Sequence, residues 1–158
     1  MKIIADLSKG KLILNDYVRF EITCRVRTVK NGDRKKSEVI CTIPQGYPYD
    51  PMTFPKGSWK VTGVEWQKDY KFDYSVYGPV KIRTDAWQWA KIWELDEKGC
   101  YLKERGDEIQ DYGYLLHYST SSTTLGCIRI ASPQDAESIA RLIEDSLKRG
   151  ETADLEVM

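Results

Sequence analysis

From Val18 to Val26 apolar and polar side chains alternate without a break, with Val18, Phe20, Ile22, Cys24 and Val26 on one parity and Arg19, Glu21, Thr23 and Arg25 on the other. A period of two sets one row against a core and the other in water, which defines a half-buried strand and is incompatible with a helix. Asn31-Gly32 then supplies the positive-φ pair of a tight turn, and Val39, Cys41 and Ile43 resume the alternation, so a hairpin is expected. "KIIADL" and "KLILND" flank Ser8-Lys9-Gly10 as an earlier hairpin, in which Gly10 takes left-handed geometry without a Cβ clash. The N-terminal third reads as antiparallel β.

The prolines and glycines of "PQGYPYDPMTFPKG", residues 44–57, forbid a regular ladder and indicate an ordered surface loop. "SWKVTGVEW" and "VKIRTDAWQWAKIWEL" return to β-branched and aromatic residues. Trp87, Trp89 and Trp93 share one parity there and should pack as an aromatic patch, either in the core or as the floor of a substrate groove. A single helix is expected over about 132–149. Ser132 is its N-cap, Pro133 its first residue and Asp135 in its first turn, with Ala136, Ile139, Ala140, Ile143 and Leu147 on one face. Lys148 and Arg149 complement its C-terminal dipole, Gly150 stops it, and "ADLEV" follows as a closing strand. Many short strands with one amphipathic helix imply one mainly β domain, a barrel or sandwich with the helix over one opening.

Charge and composition narrow the function. The 158 residues carry equal numbers of acids and bases, interspersed, so no polyanion-binding stripe exists and nucleic acid is not expected as a partner. No apolar run reaches the roughly eighteen residues of a membrane helix, and "MKIIADLSKGK" breaks at Asp6 before a signal-peptide core forms; neither membrane nor export signal is expected. Cys24, Cys41, Cys100 and Cys127 form no CxxC pair and share one histidine, so a zinc site is not expected; a core this size does not require a disulfide.

That histidine, His117, ends the apolar run "GYLLH", and Cys127 opens "CIRI" after the small, polar "YSTSSTTLG". A connection this short lets neighbouring elements bring imidazole and thiol together. Gly126 permits close backbone approach and lets two successive N–H groups converge as an oxyanion hole. A free thiol with pKa about 8.5 is only about 3% thiolate at pH 7, and an adjacent imidazolium lowers that pKa and later protonates a leaving amine. The same residues also suit a buried histidine beside an inert thiol.

Taken together, "LLH", a Ser/Thr-rich loop and "TLGCIRI" resemble the signature of YkuD-type L,D-transpeptidases, in which a His precedes a Ser/Thr-x-Gly-Cys-x-Arg block. "IIADLSKGKLIL", "TFPKGSWKV", "YGP" and an acid early in the following helix occur in the family's order, so the likeness spans nearly the whole chain. The resemblance implies a YkuD-like β-sandwich of mixed sheets with Cys127 as nucleophile and His117 as base and acid. The Tyr118 carbonyl would orient His117, and the Gly126 and Cys127 N–H groups would form the oxyanion hole. Arg129, Thr124 and Ser119 would face substrate, Arg129 serving alternatively as an orienting cation or as a salt-bridge partner of a nearby carboxylate. Departures from the pattern are Tyr118 where a Gly is usual, Leu125 where a His is frequent, a short His-to-block loop, and Phe54 between the Thr and Pro of "TFPKG".

The implied reaction is acyl transfer from peptidoglycan tetrapeptide stems. A thioester forms with loss of terminal D-alanine and passes to an amine, by 3-3 cross-linking or D-amino acid exchange, without cofactor or metal. L,D-carboxypeptidase hydrolysis of the same stems and a silent peptidoglycan-binding module are the alternatives. Carbapenem-type inhibitors are expected to acylate Cys127, and the protein is expected to be a monomer. Its work would lie in the periplasm or cell wall, which with no signal peptide implies a mature fragment, a phage product or a secreted effector.

Overall fold

A computed structural model describes residues 1–26, 33–35, 38–40, 52–95 and 101–158. Eight strands close into a barrel: β1 (Lys2–Asp6), β2 (Lys11–Leu14), β3 (Val18–Thr23), β6 (Gly57–Trp66), β7 (Val80–Thr84), β10 (Leu115–Tyr118), β11 (Ile128–Ile130) and β12 (Asp154–Val157). Around the barrel the order is β1-β12-β6-β7-β10-β11-β3-β2. Two neighbouring pairs, β1 with β12 and β10 with β11, are parallel, and the remaining pairs are antiparallel. Two short ribbons lie outside it, β4 (Asp33–Lys35) with β5 (Glu38–Ile40), and β8 (Gln88–Leu95) with β9 (Tyr101–Asp111).

Alternation decides which side chains enter the barrel. Ile3, Ala5, Leu12, Leu14, Ile22, Ile82, Leu116, Ile128, Ile130 and Leu155 are all buried in one cluster. The expected helix, α3 (Pro133–Lys148), adds Ala136, Ile139, Ala140 and Ile143 to that cluster and packs on β6, β7, β10 and β11. Its start follows the sequence: the Ser132 Oγ accepts from the Asp135 N–H at 3.1 Å, satisfying a donor that the first turn leaves without a helical partner. Gly10, at φ +64°, makes the β1–β2 turn as expected.

Several expectations need correction. The regular strand from Val18 stops at Thr23, and Val26 contributes only an isolated bridge to Thr124. β3 pairs with β2 and β11 rather than with a strand at 39–43; β5 takes β4 as partner, and Asn31-Gly32, Cys41, Ile43 and residues 44–51 lie outside the described residues. The helix count also exceeds one. Two four-residue helices, α1 (Gln67–Tyr70) and α2 (Tyr74–Tyr77), stand between β6 and β7, too short to leave a periodic signature. Trp87 and Trp89 are not core: Trp89 is 54% exposed, edge-on to half-buried Trp87 at 5.5 Å, with Tyr112 on Trp87's other contact at 6.3 Å. The side chain of Trp93 lies outside the described residues. No described helix is long and apolar enough to cross a membrane.

Candidate active site

β10 and β11 run parallel and adjacent, Leu116 against Ile128 and His117 against Arg129. Because Leu116, Ile128 and Ile130 fill the core, His117, Cys127 and Arg129 share the opposite, outward face. The connection over residues 119–127 holds no helix and is fastened at both ends. The Thr120 N–H and hydroxyl donate to the Ser75 carbonyl at 3.0 and 2.9 Å, and the Thr124 N–H donates to the Arg25 carbonyl at 2.9 Å. His117 and Cys127 thereby line one cavity of about 450 Å³, bounded also by α2 and the 119–125 loop.

His117 is 3% exposed. Its Nδ1 lies 2.8 Å from the Tyr118 carbonyl, and since a carbonyl only accepts, Nδ1 carries the proton and Nε2 is the basic atom of the neutral ring. The Tyr77 ring meets the imidazole edge-on at 5.1 Å. Lys81, cross-strand neighbour of His117, sits over the Tyr77 and Phe72 rings at 4.0 and 4.4 Å. Burial, foremost, and the charges of Lys81 and Arg129 hold the His117 pKa below its usual value, against the opposing Tyr118 hydrogen bond.

Cys127 is a half-buried free thiol. The Leu115 N–H donates to its Sγ at 3.4 Å, and the thiol points to the Gly113 carbonyl at 3.8 Å. Burial pushes its pKa up to about 11. Among the described residues no hydrogen bond joins His117 to Cys127: the two sit diagonally across the strand pair, two residues out of step. The resting site therefore holds a neutral thiol and a neutral imidazole, in place of the ion pair that adjacency in sequence suggests.

The remaining expected site residues divide. Thr124 and Ser119 line the cavity. Arg129 lines neither of the cavities that reach Cys127; its Nε donates to the Ser119 carbonyl at 2.8 Å and its guanidinium lies 5.3 Å from the Tyr118 ring, so it braces the loop after His117. Gly126 has φ +129°, and a Cβ there would lie 2.4 Å from the Met52 carbonyl oxygen and 2.8 Å from Tyr114 Cε1, so only glycine fits. Its N–H, however, donates to Thr124 Oγ1 at 3.2 Å, and Thr124 Oγ1 in turn donates to the Cys127 carbonyl at 2.8 Å. That removes Gly126 from the expected pair of oxyanion donors and leaves the Cys127 N–H, which has no acceptor among the described residues.

Sequence reasoning missed Tyr77, Lys81, Asp111 and Tyr114. Tyr77 alone left a local signal, the Asp73 cap and Gly78 stop of α2: Asp73 Oδ1 accepts from the Ser75 N–H at 2.9 Å, and Gly78 has φ +69°. Asp111 ends a run of charged residues that reads as a solvated strand, yet it is buried, and the Tyr114 hydroxyl donates to its Oδ2 at 2.6 Å. Asp111 and Tyr114 line a second cavity of about 200 Å³ that shares Tyr77, Leu125 and Cys127 with the first. Cys24 stands close behind, its thiol donating to the Gly126 carbonyl at 3.5 Å. Among the described residues no three His, Cys, Asp or Glu side chains gather as a metal site.

Comparisons of the chain with protein-family models, with curated proteins and with solved structures find no match. The class supported by the coordinates alone is a mainly β closed barrel presenting a histidine and a cysteine to one outward cavity.

Proposed function

We propose that this domain is a cysteine acyltransferase of the YkuD L,D-transpeptidase type, acting in the cell wall on peptidoglycan tetrapeptide stems. The observation that supports it most is the parallel β10–β11 pair, which sets His117 and Cys127 on one cavity wall with the Tyr118 carbonyl holding the imidazole Nδ1 proton. The "LLH" and "TLGCIRI" likeness supplies the substrate class.

In this reading the stem enters the hydroxyl-rich larger cavity, and a χ1 rotation turns Cys127 Sγ from the Gly113 carbonyl toward Nε2. As sulfur attacks the carbonyl of the third stem residue, His117 takes the thiol proton and the Cys127 N–H stabilises the oxyanion. The imidazolium then protonates the leaving D-alanine nitrogen, giving thioester and neutral His117. Starting from a neutral pair, the proton moves only when the nucleophile engages, and general-base assistance replaces a standing thiolate.

A second reading, a silent peptidoglycan-binding module, is favoured by the elevated Cys127 pKa and the missing His117–Cys127 hydrogen bond. One experiment separates them. Incubation with a carbapenem should add one drug mass to the intact wild-type protein and none to Cys127→Ala. Absence of an adduct on wild type, or its persistence in the variant, rejects the acyltransferase. Products from purified muropeptides then distinguish cross-linking, exchange and hydrolytic trimming.

A further inference from the structure

We infer that Lys81 is a positioning residue for His117: pinned by two aromatic rings, its ammonium faces the imidazole across the sheet and disfavours a second proton there. Its use in acyl transfer rests on the acyltransferase reading above. Because Val80 and Ile82 fill the core, Lys81 stands on the outward face of β7, directly opposite His117. The register continues the row: Glu65 lies opposite Lys81 on β6 and Arg129 beside His117 on β11, so the imidazole sits between two cations. An untethered lysine there would carry its charge out into water. Instead its Nζ lies 4.0 Å from the Tyr77 ring and 4.4 Å from that of Phe72, and the two rings meet edge-on at 5.9 Å. Gln67 Nε2 donates to the Phe72 carbonyl at 2.7 Å and Tyr77 packs on the imidazole itself at 5.1 Å, so both rings are fixed. Ring quadrupoles attract the ammonium without neutralising it.

The carboxylates on the flanking elements are engaged elsewhere. Glu65 is bound to Arg83, and Asp73, the cap of α2, accepts from the Ser75 N–H and hydroxyl at 2.9 and 2.7 Å. Among the described residues no carboxylate pairs with Lys81. The Tyr77 hydroxyl and the Cys127 thiol, which burial keeps protonated, add no charge beside the imidazole. Like charges opposite one another on neighbouring strands repel, and after burial, the larger cause, Lys81 and Arg129 both hold the His117 pKa down. Lys81 lines neither cavity, so it acts through His117 and not on the stem. In the reaction Nε2 takes the thiol proton as sulfur attacks. The imidazolium so formed stands between two cations and passes that proton to the leaving nitrogen more readily than it would without them.

His117 is the chain's single histidine, so one titrating Cε1–Hε1 resonance reports it in the folded protein. Lys81→Met keeps an unbranched side chain against the rings and removes the charge, and should raise the His117 pKa by about half a pH unit or more. Lys81→Arg, which keeps both the charge and the ring contact, should stay within about 0.2 pH unit of wild type. An unchanged pKa in folded Lys81→Met, or a rise in Lys81→Arg equal to that in Lys81→Met, overturns the inference. Where Lys81→Met fails to fold, Phe72→Leu decides. Phe72 lines neither cavity, yet releasing the ammonium on its side should raise the His117 pKa by about 0.3 pH unit or more, and no change overturns the inference. In carbapenem acylation the acid-side half-point of the rate should move up with the His117 pKa, and a half-point that stays fixed while the pKa moves overturns the positioning role. Wild-type protein that forms no adduct but whose His117 titration still depends on Lys81 would reject the acyltransferase and leave the hold of Lys81 on His117 standing.

Discussion

A thiol with pKa about 11 holds roughly one part in ten thousand as thiolate at pH 7, so the free protein should react slowly with alkylating agents at Cys127. Its iodoacetamide rate should climb close to tenfold per pH unit from 7 to 10. A plateau beginning below pH 8 would show instead that a thiolate–imidazolium pair stands ready at rest. His117 titrates in the opposite sense, since its folded pKa lies below the unfolded value near 6.5. The unfolded chain therefore binds its proton more readily, and stability present above pH 6.5 is lost as pH falls toward the folded pKa. Thermal melts across pH 7.5 to 5 should fall, and His117→Gln should flatten part of that slope.

The helix α3 and the β10–β11 connection show different kinds of local control. α3 is specified by Ser132, Pro133 and its apolar stripe, all within its own segment. Ser132→Ala should cost about 1 kcal/mol, seen as a melting point lower by about 2–4 °C, while leaving Cys127 alkylation rates unchanged because the cap lies away from both cavities. The 119–127 loop is specified from outside itself. Its anchors are the carbonyls of Ser75 and Arg25 and the guanidinium of Arg129, contributed by α2, the end of the β3 segment and β11.

Closure of the barrel depends on β12, which lies parallel to β1 on one side and antiparallel to β6 on the other. Leu155, 1% exposed, and Val157, 3% exposed, are the side chains through which that strand meets the core. Leu155→Ala should destabilise by about 2–5 kcal/mol, lowering the urea midpoint with little change in slope, because the cavity left behind cannot fully collapse between two fixed neighbours. A marked change of slope would mean that the barrel opens in the native state.

Period-two alternation, the Ser8-Lys9-Gly10 turn and the caps of α3 were legible in the sequence because each depends on residues within a few positions of one another. That a histidine and a cysteine come to line one cavity was legible, because the short loop joins the neighbouring strands that carry or follow them. Burial and cross-strand neighbours were not, because they are set by register between segments far apart in the chain. That register puts Lys81 beside His117, folds Asp111 out of water onto a cavity wall, and commits the Gly126 N–H to Thr124. The sequence by itself determined which reactive groups the protein owns and which elements carry them. Tertiary structure decided their protonation and their partners, since desolvation and charge act through space and take no account of order along the chain.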